Sequence, residues 1–110
     1  MECDMLRIRP MQAKDIAFAV RLTNQERWGV TRTDLRRLMR LSPEGCFVAD
    51  DGIAKLGITT TTVYGGKVGW IGNVIVDRRH RGMNIGHALC ARALSHLRKA
   101  RVQHIALYCY

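Results

Sequence analysis

The stretch that most constrains this chain runs Val74-Ile75-Val76-Asp77-Arg78-Arg79-His80-Arg81-Gly82-Met83-Asn84-Ile85-Gly86-His87-Ala88-Leu89. Trp70 to Val76 is too apolar for a surface edge and reads as a strand. From about Asn84 to Lys99, Ile85, Ala88, Leu89, the aliphatic stem of Arg92, Ala93 and Leu97 recur at helical spacing. His104 to Tyr110 follows as a last strand, so the segment is a strand–helix–strand unit, expected to form a right-handed crossover with parallel strands. The basic loop between strand and helix is where an anion can sit. The first turn of a helix has N–H groups with no internal partner, and the helix dipole favours negative charge there. Gly82 and Gly86 leave room for a phosphate against the backbone, and Asn84 tolerates a left-handed conformation. Arg79 and Arg81 can donate to phosphate oxygens, and His80 and His87 flank the loop. A pyrophosphate fits this arrangement; a plain polar turn is the alternative reading of the same residues. The nucleotide P-loop and the dinucleotide fingerprint are both excluded, the first for want of Lys followed by Ser or Thr, the second for want of G-x-G-x-x-G.

Upstream, Leu6-Arg7-Ile8-Arg9 alternates and ends at Pro10, a first strand. Asp15 is placed to cap a helix over Ile16 to Leu22, with Ile16, Ala19 and Val20 on one face. Asn24 to Gly29 reads as a polar loop around Trp28. Thr31 and Asp34 make a weaker relative of the capping box for a second helix. Its apolar face is Leu35, Leu38 and Met39, while Arg32, Arg36, Arg37 and Arg40 face water, and Ser42-Pro43-Glu44-Gly45 stops it. Cys46 to Ala49 is a short buried strand, Asp51-Gly52 a hairpin signal, and Ala54 to about Thr61 the returning strand. The threonine run Thr59 to Thr62 follows from β propensity. Tyr64-Gly65-Gly66-Lys67 is a further turn, and Trp70 is read as core. The expected fold is α/β: a mixed, mostly antiparallel central sheet with helices on both faces, in one domain over residues 1–110.

The stretch from Val74 to Leu89 resembles the acetyl-coenzyme A binding motif of the GNAT N-acetyltransferases, whose pattern is Arg or Gln, two residues, Gly, one residue, then Gly or Ala. Arg81, Gly82, Met83, Ile85 and Gly86 stand where that pattern wants them, and Asn84 replaces its first glycine. The substitution is mild if the backbone there is left-handed or helical, and serious if the side chain enters the pyrophosphate volume. The resemblance extends over nearly the whole chain, from Leu6-Arg7-Ile8-Arg9-Pro10-Met11 onward. It implies a GNAT acyl-CoA N-acyltransferase-like fold with acetyl-CoA as co-substrate. Amides from about Met83 to His87 would hold the pyrophosphate, and the backbone of Asn73, Val74, Ile75 and Val76 would take the pantetheine arm like an added strand. The reaction implied is attack by an amine on the thioester, with a small molecule or a protein as acceptor. Glu26, in the loop beside Trp28, is the candidate general base, ahead of Asp34; a solvated loop carboxylate is its bland alternative. Trp28 is a candidate for the acceptor pocket or for half-buried packing.

The family fold continues past the strand at Ile105 to Cys109, into a region that often carries a Tyr for the leaving thiolate. Tyr108 and Tyr110 precede that place, so the role is carried onto neither. The expectation is a fold whose C-terminal part is missing. One side of the last helix or a sheet edge is then left open, which invites a homodimer or larger homo-oligomer. Two further readings stay open: a CoA-binding or oligomeric scaffold without transfer activity, and a basic nucleic-acid binder. Lys and Arg outnumber Asp and Glu by 18 to 9, a field that attracts any polyanion. Few exposed aromatics accompany the arginines, which argues against nucleic acid. Cys46 and Cys90 fall in apolar runs and, with Cys3 and Cys109, form no CxxC pair. A reducing, cytoplasmic setting is expected, with no metal site and no membrane span.

Overall fold

The structure, a computed structural model, describes residues 6–82 and 84–107. Strand β1 spans Arg7–Pro10, and a single 3-10 turn leads into α1, Ile16–Gln25. Helix α2 is Arg32–Leu41, followed by β2 Cys46–Asp50, β3 Lys55–Tyr64, β4 Val68–Val76, α3 Ile85–Lys99 and β5 His104–Leu107. The sheet order is β1-β2-β3-β4-β5. All neighbours are antiparallel except β4 and β5, which are parallel. Helices lie on both faces, as the sequence pattern requires.

Alternation in β2 builds the two cores at once. Cys46 and Val48 face a cluster with Ile16, Ala19 and Leu22 of α1 and Leu35 of α2. Phe47 and Ala49 face Ile85 and Leu89 of α3 on the other side. A third cluster joins Ile71 to Ala93 and Leu97. Burial pushes the Cys46 thiol up to about 11, which suits a small inert core residue. Thr31 and Asp34 form both bonds of the capping box, Asp34 N to Thr31 Oγ1 at 3.1 Å and Thr31 N to Asp34 Oδ2 at 2.9 Å. The short Asp side chain therefore does the work of the usual Glu.

Two bulges break the alternation. Ala49 pairs with Gly57 but Asp50 with Lys55, leaving Leu56 as an extra residue in β3. Thr60 pairs with Gly72 but Ile58 with Ile75, so β4 takes three steps where β3 takes two. Asn73, with φ of 52°, sits in that extra turn. The bulge re-aims β4: Ile71 packs toward α3 and Ile75 toward α1, although four residues apart they would otherwise share a face.

Three expectations need correcting. Helix α1 continues to Gln25, which shortens the loop around Trp28, and its buried face includes Phe18 and Thr23. Asp15 stands at the N-cap position but makes no cap bond; its carboxylate pairs instead with Arg9 and Lys55. The Asp51-Gly52 hairpin is a longer loop, because Asp51 Oδ1 accepts from both Ile53 N and Ala54 N at 2.9 and 2.7 Å and holds four residues in the turn.

Candidate functional site

Strand β4 ends where Asp77 N donates to Leu56 O. The Asp77 carboxylate turns back and accepts from Arg79 N at 3.0 Å. That bond, with the nearby Arg79 side chain, outweighs burial and holds the carboxyl below its usual range. A 3-10 turn over Arg78–His80 follows. Gly82 then has φ of 86° and Asn84 φ of 59°. The first helical bond of α3 is Ala88 N to Asn84 O, so the amides of residues 85–87 have no partner inside the helix. Asn84 is left-handed, exposed, and makes no side-chain cap bond, which is the arrangement in which it stands in for glycine. Met83 lies outside the described residues.

These amides sit beside a cavity of about 350 Å³ lined by Glu26, Trp28, Val74, Ile75, Val76, Arg81 and Gly86. The fold thus brings five of the residues marked in the loop and strand together with Glu26. Among the described residues, the β4–β5 ladder runs only from Val68 with His104 to Ile71 with Leu107. Past that point the strand carries the cavity on Val74–Val76. A Cβ on Gly86 would meet Val76 Cγ2 at 3.7 Å, an ordinary contact, and a Cβ on Gly82 would meet nothing within 4 Å. Room for a ligand against this turn is therefore present, and the unpaired amides and guanidinium suit a pyrophosphate.

Arg81 is already engaged. Its Nε donates to Val76 O at 3.2 Å and its Nη2 to Glu26 Oε2 at 2.8 Å. Arg78 reinforces this from the other side, donating to Gln25 O at 3.1 Å. Glu26 is thus neither a freely solvated loop carboxylate nor an unengaged base. Arg79 is 82% exposed and lies 3.5 Å from Asp77, leaving it able to swing toward an anion. Ile85 is buried in the core and His87 is exposed on the first turn of α3, so Ile85 offers only its backbone. His80 Nδ1 is enclosed and has no hydrogen-bond partner. Trp28 is half-buried against the α1 core and also lines this cavity. Tyr108 and Tyr110 lie outside the described residues.

Trp70 is not core. It is half-buried and lines a second cavity with Leu38, Thr60, Thr62, Tyr64, Gly72 and Asn73. Sequence reading missed this cavity, although Thr60, Thr62 and Tyr64 at alternate positions of one strand were the available signal. Among the described residues, no group of three or more His, Cys, Asp or Glu could hold a metal ion. Nor is any helix there long and apolar enough to cross a membrane.

Asn84 supplies a direct test of the turn. A β-branched residue cannot hold φ near 59° without strain, so Asn84→Val should lose about 1–3 kcal/mol of stability. Asn84→Gly should keep the fold and its stability. Urea denaturation of the two variants would check both.

The sequence profile of the acetyltransferase (GNAT) family matches residues 13–110. No curated protein sequence matches the chain. Among solved structures, Ard1 from Thermoplasma volcanium superposes with a TM-score of 0.82 at 26% identity, over 89% of this chain and 67% of its own. Rv2747 from Mycobacterium tuberculosis, solved in complex with CoA and NLQ, gives 0.81 at 21% identity, over 90% of this chain and 61% of its own. Glucosamine-6-phosphate N-acetyltransferase from Arabidopsis thaliana gives 0.76 at 21% identity, over 96% and 82%. The chain therefore spans less than two thirds of the Mycobacterium protein and about two thirds of the Thermoplasma one.

Proposed function

This chain belongs to the acetyltransferase (GNAT) family, and we propose that it binds acetyl-CoA at the β4–α3 turn and transfers the acetyl group to an amine. One observation carries the reading: the left-handed turn at Gly82 and Asn84 opens the first turn of α3 onto the cavity along Val74–Val76. In this reading the loop Arg81, Gly82, Met83, Asn84, Ile85, Gly86 and His87 holds the pyrophosphate, chiefly through backbone amides. The strand edge at Asn73, Val74, Ile75 and Val76 takes the pantetheine arm by main-chain bonds. Bound there, acetyl-CoA would supply a thioester whose acyl carbon passes to the nitrogen of a neutral amine, with release of the thiol.

The Arg81 contacts give Glu26 a part. Arg81 Nε occupies one lone pair of Val76 O and leaves the other for a pantetheine amide, while a phosphate is a stronger partner for a guanidinium than a carbonyl is. Drawing Arg81 toward the anion leaves Arg78, 3.8 Å away, as the cation beside the Glu26 carboxylate, which lines the same cavity and can then accept a proton from the acceptor amine. Glu26→Gln should lower the transfer rate about 100-fold, the low end for a positioned base, while acetyl-CoA affinity stays the same or rises. Thiol release and calorimetry on the one variant separate those effects. The reading as a whole is tested by calorimetric titration of the full chain with acetyl-CoA, followed by thiol release in the presence of amines. Failure of a folded protein to bind acetyl-CoA would sink it. Binding without transfer to any amine would favour the alternative of a CoA-binding scaffold.

A further inference from the structure

We infer that the second cavity, between α2 and the β3–β4 face, receives the acceptor, and that it selects a hydroxylated small amine of the hexosamine class with no charged group besides the reacting amine. The inference rests on the acetyl-CoA reading above, because it places the acceptor beside that donor. The two cavities meet at consecutive residues. Gly72 and Asn73 line one and Val74 to Val76 the other, and adjacent Cα atoms are about 3.8 Å apart. The β-bulge at Asn73 divides the strand between them. An amine held in the first cavity is therefore within a short reach of an acyl group carried along the second.

The lining sets the chemistry. Thr60, Thr62 and Tyr64 stand at alternate positions on one side of β3, with Thr62 directly across from Trp70. Leu38 closes the cavity from α2. None of the lining residues is Asp, Glu, Lys, Arg or His. A second charged group entering here would find no opposite charge in the lining to replace the water it loses. Hydroxyl and carboxamide groups both donate and accept, and the ligand groups that match them are hydroxyls. Thr60 is already satisfied, donating to Gly72 O at 3.3 Å and accepting from Asn73 Nδ2 at 3.1 Å. The pair holds the Asn73 carboxamide in place and leaves its oxygen, with the hydroxyls of Thr62 and Tyr64, for the ligand. Trp70 and Leu38 supply apolar surface of the kind against which the C–H face of a sugar ring packs. The volume, about 280 Å³, lies just under the usual range for small-molecule sites and suits one ring better than a peptide chain.

The test uses the full chain with saturating acetyl-CoA and three acceptors: glucosamine, glucosamine 6-phosphate and spermidine. Thiol release should give glucosamine a kcat/KM at least tenfold above both of the others. Trp70→Ala and, as a shape-conserving partner, Thr62→Val should each raise KM for glucosamine about tenfold, with acetyl-CoA affinity by calorimetry unchanged. A preference for the phosphorylated sugar or the polyamine would overturn the inference. So would equal rates for all three acceptors, or a KM that neither variant moves. Acetyl-CoA binding without transfer to glucosamine would also overturn it. Absence of acetyl-CoA binding to the wild type is a different failure, that of the donor site itself.

Discussion

Gly86→Leu should abolish acetyl-CoA binding while leaving the fold intact. Gly86 faces the cavity beside Val76 from the first turn of α3. The space for a first carbon exists, since a Cβ there would make only an ordinary contact with Val76 Cγ2 at 3.7 Å. The helix should accept the change, because glycine is the poorer helix former by about 1 kcal/mol. What the longer side chain takes is volume next to the unpaired amides, where a phosphate would have to approach the backbone. Calorimetric titration should fall from saturable binding to none at millimolar acetyl-CoA, with the urea midpoint unchanged or raised. Gly86→Ala should still bind, because one methyl reaches Val76 and stops. If the leucine variant binds as tightly as the wild type, the first turn of α3 is not where the pyrophosphate lies. Gly82 is a less clean probe: with φ of 86°, any side chain there strains the loop as well as filling it, and the two effects could not be told apart.

The contrast between those glycines shows what could be read from the chain before its structure. The strand–loop–helix at residues 74–89 was legible because every local cue agrees. The strand is apolar, glycines and an Asn sit where the chain must turn, and the periodicity switches to that of a helix. The left-handed Asn84 was legible as a condition on the motif, and the backbone meets it. Long-range partners were not legible. Glu26 and Arg81 are joined at 2.8 Å across 55 residues of sequence, and nothing in the pattern around either names the other. The bulges were hidden too. Alternation predicts that Leu56 and Ile58 share a face, and likewise Ile71 and Ile75, yet each pair is split between the two cores. Trp70 was read as core because its neighbours are apolar, whereas its exposure depends on how much of the β3–β4 face α2 covers.

Asp15 is the case in which a correct local cue had a different use. An Asp just before an apolar periodic run is a good cap in isolation. Here the carboxylate is fully buried and takes four bonds from three residues. Arg9 reaches it with two bonds of 2.8 and 2.9 Å, Lys55 with one of 2.9 Å, and Gln12 N with one of 2.8 Å. Arg9 also spans to Asp50 at 2.7 Å, and Arg7 approaches the same carboxylate at 3.0 Å. Burial pushes the Asp15 carboxyl up, but the bonds from Arg9, Gln12 and Lys55 outweigh it and hold it well below the usual range. The balance at Asp50 is the same, with burial opposed by Arg9, Gly52 N and Arg7. Removing one partner of a buried pair leaves the other uncompensated, typically at about 3–5 kcal/mol. The side chains of Arg9 and Lys55 are 24% and 31% exposed, so water can recover part of that loss. Asp15→Ala should therefore destabilise by about 3 kcal/mol, a large share of the 5–15 kcal/mol usual for a domain.

The pH dependence gives a second, independent reading of the same residue. An acid whose folded pKa is depressed contributes stability above its unfolded value, near 4, and loses it as pH falls through the folded value. The wild-type urea midpoint should thus hold above about pH 5 and decline steadily between about pH 4 and pH 2. Asp15→Asn, which keeps the shape but cannot take up that proton, should start lower at neutral pH and decline less steeply, because only Asp50, Asp77 and the exposed carboxylates still titrate. Parallel curves for the two proteins would mean that Asp15 is not the group whose protonation unfolds the chain, and that its burial is held by packing rather than by charge.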